Sequence, residues 1–342
     1  MVEIDIEDLH ELAAYLRVTG RVGQDETIES RVLSGGVSNR TVWLERAGGQ
    51  AWVLKQALKK LRVEVDWFSS PERIGREALG MSWLAKLTPA GSVPALVFED
   101  PRQHLLAMEA VARPFANWKS SLLAGEVDER LVGQAAELLG AIHRNSFERR
   151  EELAGVFAER CFFESLRLEP YYGFTATRVP ASAGWLTELM NETRSTTLTL
   201  VHGDYSPKNM LIHKGRLILL DHEVIHWGDP AFDLGFFLAH LLSKAHHLPQ
   251  HRAPFGQSAL LFWRIYEAAI AGMPWRSGLE ARAVRHTLAC LLARVRGRSP
   301  LEYLDGQERS RQETAVLSLA ASFPMSLSEL RDRFLACLSS ND

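Results

Sequence analysis

Asp204 and Asn209 stand with four residues between them in the run His202-Gly203-Asp204-Tyr205-Ser206-Pro207-Lys208-Asn209. A loop leading from the aspartate to the asparagine lets both side chains face one cavity. The carboxylate can then orient a hydroxyl and the amide oxygen can sit on a magnesium ion, two requirements of phosphoryl transfer. Asp221 follows the apolar run Leu217–Leu220 and offers a hard anionic oxygen to the same metal. Glu223, two residues later, points to the same side as Asp221 if the chain there is extended, and is either a further metal ligand or a structural carboxylate. Taken singly, these are ordinary turn residues, since Asp and Asn favour turns through local hydrogen bonds. Together with Gly228-Asp229-Pro230-Ala231-Phe232-Asp233-Leu234-Gly235 they form an ordered set that chance does not easily supply.

The elements that must hold this set can be read from periodicity. Residues 6–17 carry a helical apolar stripe. Thr41–Leu44 and Ala51–Leu54 read as two strands joined through Gly48-Gly49. Residues 71–87 return to a helical pattern, with Pro71 suited to a helix start. Residues 93–99 and 104–108 read as strands around the turn Asp100-Pro101-Arg102-Gln103. Beyond Met108 the chain becomes mainly helical, with helices expected over 128–143, 157–168, 182–193, 232–246, 257–272, 279–296 and 326–338. One β island interrupts them at 198–201, 210–212 and 217–220. The expected fold class is α+β, with a small β-rich lobe over residues 1–109 and a large helical lobe over 110–342.

The motifs around His202–Asn209, Asp221-His222-Glu223 and Gly228–Gly235 resemble those of the aminoglycoside phosphotransferase and choline kinase superfamily, itself similar to protein kinases in fold. The resemblance implies a two-lobed kinase-like fold and a reaction that uses ATP and Mg2+. It implies that Asp204 is the catalytic carboxylate, that Asn209 and Asp221 hold magnesium, with Glu223 as a further candidate, and that Asp233 braces the catalytic loop from a helix start. Lys55, ending the strand Ala51–Leu54, resembles the lysine that contacts the α- and β-phosphates. Glu77 is its expected partner, preferred over Glu64 and Glu72 because it lies deepest in the helical segment. Ser34-Gly35-Gly36-Val37-Ser38-Asn39 sits where a glycine-rich loop covers phosphates, with Ser38 as a contact, although a plain hairpin turn has the same composition. Adenine is expected against the backbone of Met108, Glu109, Ala110 and Val111.

The acceptor is less legible. Lys55-Gln56-Ala57-Leu58, Arg62, Trp67, Arg73–Glu77 and Leu168-Glu169-Pro170-Tyr171-Tyr172 look like the corresponding stretches of 5-methylthioribose kinases, whereas Ser206-Pro207-Lys208-Asn209 matches the broader aminoglycoside phosphotransferase pattern. A hydroxyl on a sugar, an amino alcohol or an aminoglycoside is therefore the expected acceptor. A polycationic acceptor favours an acidic cleft, and the helical segments carry no conspicuous acidic run. Residues 279–298 are instead basic, through Arg282, Arg285, Arg294, Arg296 and Arg298. They form either a solvated face or, through Arg294 or Arg296, a contact to a neutral or anionic acceptor. Tyr171, Tyr172, Trp227 and Trp263 either line a sugar site or belong to the core. Three rivals stand beside this reading. A catalytically silent nucleotide-binding homologue conflicts with the intact Lys55, Asp204, Asn209 and Asp221. A metal-dependent phosphohydrolase leaves Lys55 and Glu77 without a role. A protein kinase would carry HRD, DFG and APE where this chain has HGD and DHE.

Bulk properties agree with this. The 342 residues are 46% apolar and 24% charged, a soluble-globular composition. A formal charge of −3 gives no electrostatic reason to expect nucleic-acid binding. Cys161, Cys290 and Cys337 are widely separated, which points to reduced thiols and a cytoplasmic setting. The first five residues lack a signal pattern, and no apolar stretch approaches the roughly 20 residues of a membrane span. Either a monomer or a homodimer fits.

Overall fold

The protein is described here from a computed structural model, over residues 4–33, 36–63 and 66–339. Ser34 and Gly35 of the expected glycine-rich loop, and the rival Glu64, lie outside the described residues.

Five antiparallel strands form the small lobe: β1 (Ile28–Val32), β2 (Asn39–Arg46), β3 (Ala51–Ala57), β4 (Leu96–Asp100) and β5 (Leu105–Glu109). They lie in the order β1-β2-β3-β5-β4. Side chains alternate across β3, so Trp52, Leu54 and Gln56 face one side while Val53 and Lys55 face the other. The first side packs on the helix Leu9–Val18 through Leu12, Leu16, Val42, Leu44 and Leu105. Asp8 caps that helix, accepting from the His10 and Glu11 N–H groups, and so the helix begins three residues later than its apolar stripe suggests. The buried Gln56 amide donates to the Ile4 and Gln103 carbonyls at 2.7 and 3.2 Å, tying the N-terminal segment to the sheet.

The other side of the sheet is covered by the helix Arg73–Leu87, whose Ile74, Ala78 and Met81 meet Ala57, Leu106 and Met108. The last turn of the same helix belongs to a different core, because Leu84 and Leu87 pack with Trp118, Leu139 and Ile225 of the helical lobe. Gly80 allows the contact: a Cβ there would lie 2.9 Å from Ile225 Cγ2 and 3.1 Å from His222 Cβ.

Five short strands support the catalytic segment: β6 (Ala116–Asn117), β7 (Thr199–Val201), β8 (Met210–His213), β9 (Arg216–Leu219) and β10 (His226–Gly228). β8 pairs with β6 and β9, and β10 pairs with β7. Around them stand the long helices Glu129–Glu148, Pro230–His247, Arg252–Ala269 and Leu279–Arg296. The last agrees with the expected 279–296 at both ends. The expected helix 157–168 is different: helical structure begins at Cys161, and Glu164–Gly173 is wound as a π-helix. Pro170 inside it has no N–H to give, and the wider winding accommodates that loss. Helices Trp118–Leu123 and Gly306–Ala320 were not anticipated; the second starts at a capping box between Asp305 and Glu308.

Lys244 is fully buried in the helix Pro230–His247, and its ammonium donates to the His240 carbonyl at 3.2 Å. Burial pushes its pKa down to about 7, with repulsion from Lys119 and Arg294 adding to the effect. A base depressed in the folded state destabilises the fold fully below that value and releases the penalty as pH rises toward the unfolded value near 10.5. Lys244→Met is therefore expected to raise the melting temperature by roughly 5 °C at pH 6.5, with the advantage shrinking at pH 9.5. Paired thermal melts test this, and a variant no more stable at pH 6.5 sinks it.

Candidate active site

The alternation of β3 aims Lys55 into the space between the lobes. Its Nζ donates to Glu77 Oε1 at 2.7 Å and to Asp221 Oδ1 at 2.8 Å. Burial alone would lower the ammonium pKa, but Asp221, Glu77 and Glu223 outweigh it and hold it above its ordinary value. Glu77 is wholly buried, and burial lifts its carboxyl above the usual range despite the pull of Lys55. For Asp221 the balance reverses: burial would raise it, but Lys55, Lys208 and Arg167 hold it well below the usual carboxylate range. Glu72 sits at the exposed start of the helix, away from this pairing.

Asp221 has φ +67°, an uncommon conformation for a residue with a Cβ, and one associated with functional sites. It lies two residues beyond β9, and the intervening Leu220 N–H donates to the Asn209 carbonyl at 2.9 Å. The hairpin of β8 and β9 therefore brings the asparagine beside the aspartate. Asn209 Nδ2 donates to Asp204 Oδ2 at 2.7 Å and to the Asp204 carbonyl at 3.1 Å, which leaves Asn209 Oδ1 free to accept or to ligate.

The loop before Asn209 is fixed from below. Asp233 accepts from the His202 N–H at 2.7 Å and the Gly203 N–H at 2.8 Å, and lies 3.3 Å from His143 Nε2. It is the bracing residue expected from the resemblance, but not the helix cap: Asp229 caps, because Pro230 takes the first helical position. Gly203 has φ +77°, and a Cβ there would lie 2.9 Å from Val224 Cγ2. His202 Nδ1 accepts from the Asp204 N–H at 3.2 Å, so its proton is on Nε2, which reaches His222 Nδ1 at 3.1 Å. Burial keeps both rings neutral by lowering their pKa values. The HxD and DHE histidines are thus bonded to each other, and among the described residues no three His, Cys, Asp or Glu side chains cluster as a metal site by themselves.

Two arginines that the motif reading did not assign complete the site. Arg167, in the π-helix, reaches Asp204 Oδ2 at 2.7 Å. Asp204 Oδ2 therefore serves both Arg167 and Asn209, while among the described residues no donor reaches Oδ1. Arg73 is fully buried, with Nε 3.0 Å from Glu223 Oε2 and its Nη atoms donating to the carbonyls of Ser38, Leu58, Ser69 and Ser70. Asn39 Nδ2 also reaches Glu223 Oε2, at 3.4 Å. Glu223 is therefore first a cross-lobe anchor, holding the phosphate-loop segment through Arg73. Buried arginines leave no signal in a single sequence; the only hint was Arg73 in the stretch resembling methylthioribose kinases.

A cavity of about 440 Å3 unites these groups. Ser38, Lys55, Met108, Glu109, Val111, Asp204, Asn209, Asp221 and Glu223 all line it. The Glu109 and Ala110 N–H groups already donate to the Ala95 and Ala51 carbonyls, each at 2.9 Å, whereas among the described residues the Val111 N–H donates to no backbone carbonyl. Val53, Leu211 and Leu220 add apolar walls from both lobes. Of the four candidate aromatics only Tyr171 lines the cavity; Tyr172 and Trp227 are core residues, and Trp263 packs against that core. In the basic helix, Arg282, Arg285 and Arg296 are paired with Asp229, Glu192 and Glu313. Arg294 alone of the five faces the cavity.

The chain is 24% identical over 271 residues to a methylthioribose kinase of Pectobacterium atrosepticum, covering 70% of this chain and 66% of that protein. Its fold is similar to that of a choline kinase from Cryptosporidium parvum, with TM-score 0.61, 11% identity and coverage of 97% and 99% of the two chains. It is likewise similar to an ADP-bound aminoglycoside phosphotransferase, with TM-score 0.50, 16% identity and coverage of 90% and 96%. The fold is therefore protein-kinase-like, as expected, and no described helix is long and apolar enough to cross a membrane. The phosphotransferase enzyme family matches residues 29–273, and the chain belongs to that family.

Proposed function

We propose that this protein transfers the γ-phosphoryl group of ATP to a hydroxyl of a small molecule. One observation carries the reading: Lys55 bridges Glu77 and Asp221 in the same cavity that holds Asp204 and Asn209. A turn-forming or silent constellation has no need of a half-buried lysine shared by two carboxylates from different lobes.

In this reading the adenine lies between Val53, Leu211 and Leu220, with the Val111 N–H as its backbone donor. Lys55 and Ser38 meet the phosphates. Asn209 Oδ1 and Asp221 are oxygen donors of the type magnesium prefers, and a bound ion would neutralise phosphate charge there. Glu223, anchored by Arg73, is better suited to hold the loop than to ligate metal. Asp204 orients the acceptor hydroxyl through Oδ1. The hydroxyl oxygen bonds to the γ-phosphorus, the bond to the β–γ bridging oxygen breaks onto ADP, and the hydroxyl proton passes to Asp204. Orientation and charge neutralisation contribute most to the rate.

The test is direct. MgATP should bind the purified full chain, and ADP should be released in a hydroxyl-acceptor screen of sugars, amino alcohols and aminoglycosides. Absence of MgATP binding in calorimetry overturns the proposal. Phosphoester hydrolysis without ATP would move the assignment to a hydrolase.

A further inference from the structure

The end of the cavity beyond Asp204 is positively charged. Arg167 and Tyr171 stand four residues apart on the π-helix and both line it. Arg294 Nη1 donates to the Tyr171 hydroxyl at 2.9 Å, to the Ser299 carbonyl at 2.6 Å and to Ser299 Oγ at 3.1 Å. All three partners are neutral. Among the described residues no carboxylate lies within ion-pair distance of Arg294, although its residue is 92% buried by an exposure of 8%. Arg294 Nε is buried without a partner, and so is Arg167 Nε. Behind this wall lie Lys244, with no carboxylate partner among the described residues, and Lys119, which is paired with Glu302. Asp221 and Glu223 line the same cavity and act on Arg167 from a distance, but among the described residues Asp204 is the one acid in ion-pair contact with this wall, and it is already shared by Arg167 and Asn209.

Glu302 acts on Arg294 only at longer range, and a buried guanidinium with no carboxylate in direct contact is unfavourable unless something supplies one. Arg294 is held in place by Tyr171 and Ser299, so it is pre-set rather than collapsed onto a neighbouring acid. A polycationic acceptor would meet like charge here at short range, which disfavours it strongly. A neutral polyol could accept hydrogen bonds but would leave the charge unmatched. Planar forked recognition of a carboxylate or phosphate is what arginine does best.

We propose that the acceptor is a small hydroxylated anion, a carboxylate or a phosphate ester, whose negative group is bound by Arg294 with help from Arg167. The inference rests on the phosphotransferase reading and narrows its substrate class. Approach of the anion also draws Arg167 from Asp204 Oδ2, leaving that carboxylate to the incoming hydroxyl.

The experiment compares matched acceptors with MgATP and the full chain: glycerol, D-glycerate and glycerol 3-phosphate; glucose, gluconate and glucose 6-phosphate; and choline and kanamycin as cations. Sulfate and inorganic phosphate serve as minimal anion probes in thermal melts of the nucleotide-loaded protein. At least one anionic acceptor is expected to exceed its neutral parent in kcat/KM by about 100-fold, and the carboxylate and phosphate arms tell which group is preferred. Arg294→Gln should raise that acceptor's KM by about 10- to 100-fold while leaving the KM for ATP within about twofold. Arg294→Lys, which keeps charge but not the fork, should fall between them. Preference for a neutral or cationic acceptor overturns the inference and leaves the phosphotransferase reading intact. So does a panel in which no anion is turned over and none stabilises wild type more than Arg294→Gln. MgATP binding is measured first, so failure of the underlying reading is seen separately.

Discussion

Asp204→Ala is expected to reduce turnover by about 10^3-fold or more, because it removes the group that orients and deprotonates the acceptor. MgATP affinity should change by no more than about threefold, since Lys55 and Asp221 are untouched and Asn209 keeps its hydrogen bond to the residue-204 carbonyl. The alanine variant has a second consequence. It leaves Arg167, which is nine-tenths buried, without its carboxylate partner. Loss of one member of such a pair destabilises by roughly 3–5 kcal/mol. Asp204→Asn separates the two effects: its amide oxygen can still accept from Arg167, so the fold should be less perturbed while turnover stays low. Steady-state rates, nucleotide calorimetry and thermal melts on both variants are the measurements. Normal turnover in the asparagine variant would falsify the role given to Asp204.

Asp221→Asn is expected to weaken MgATP binding by about 10- to 100-fold, and to weaken binding of ATP in EDTA much less. Asparagine is the right substitution because it tolerates the left-handed backbone at φ +67°, whereas alanine adds strain. The wild-type carboxylate is ionised across the working pH range: burial would oppose this, but Lys55, Lys208 and Arg167 prevail. Removing its charge therefore deletes a full negative charge from the metal side and frees Lys55 toward Glu77. The magnesium-dependent part of the affinity is the diagnostic quantity. An unchanged ratio between MgATP and metal-free ATP affinities would show that Asp221 holds no metal.

Much of this site was legible because phosphoryl transfer constrains both residue type and order. Asp204, Asn209, Asp221 and Lys55 are local in sequence to strand ends and short turns, and strand alternation alone aims Lys55 inward. Glu77 could be chosen over Glu72 from depth in a helix. Glu223 was harder, since two residues of spacing say nothing of an arginine 150 positions away. Arg167 was hidden for a related reason: around Pro170 the chain reads as a helix about to end, whereas the π winding carries it through to Gly173, with Arg167 and Tyr171 both at the cavity. Arg294 was marked as one of a basic run, but selecting it required knowing which of its neighbours already had carboxylate partners. The helix Gly306–Ala320 escaped because its mean apolar signal is weak and its burial comes from a few residues such as Val316 and Leu319.

The helix Arg73–Leu87 is shared between two cores, sheet-packed at its start and anchored in the helical lobe at its end. Glu77 lies between those two ends and pairs with Lys55 on the sheet, while Asp221, the other partner of Lys55, belongs to the helical lobe. The 2.7 Å contact to Glu77 thus stays within the small lobe and the 2.8 Å contact to Asp221 spans the two lobes, so one ammonium reports on helix seating and on lobe spacing separately.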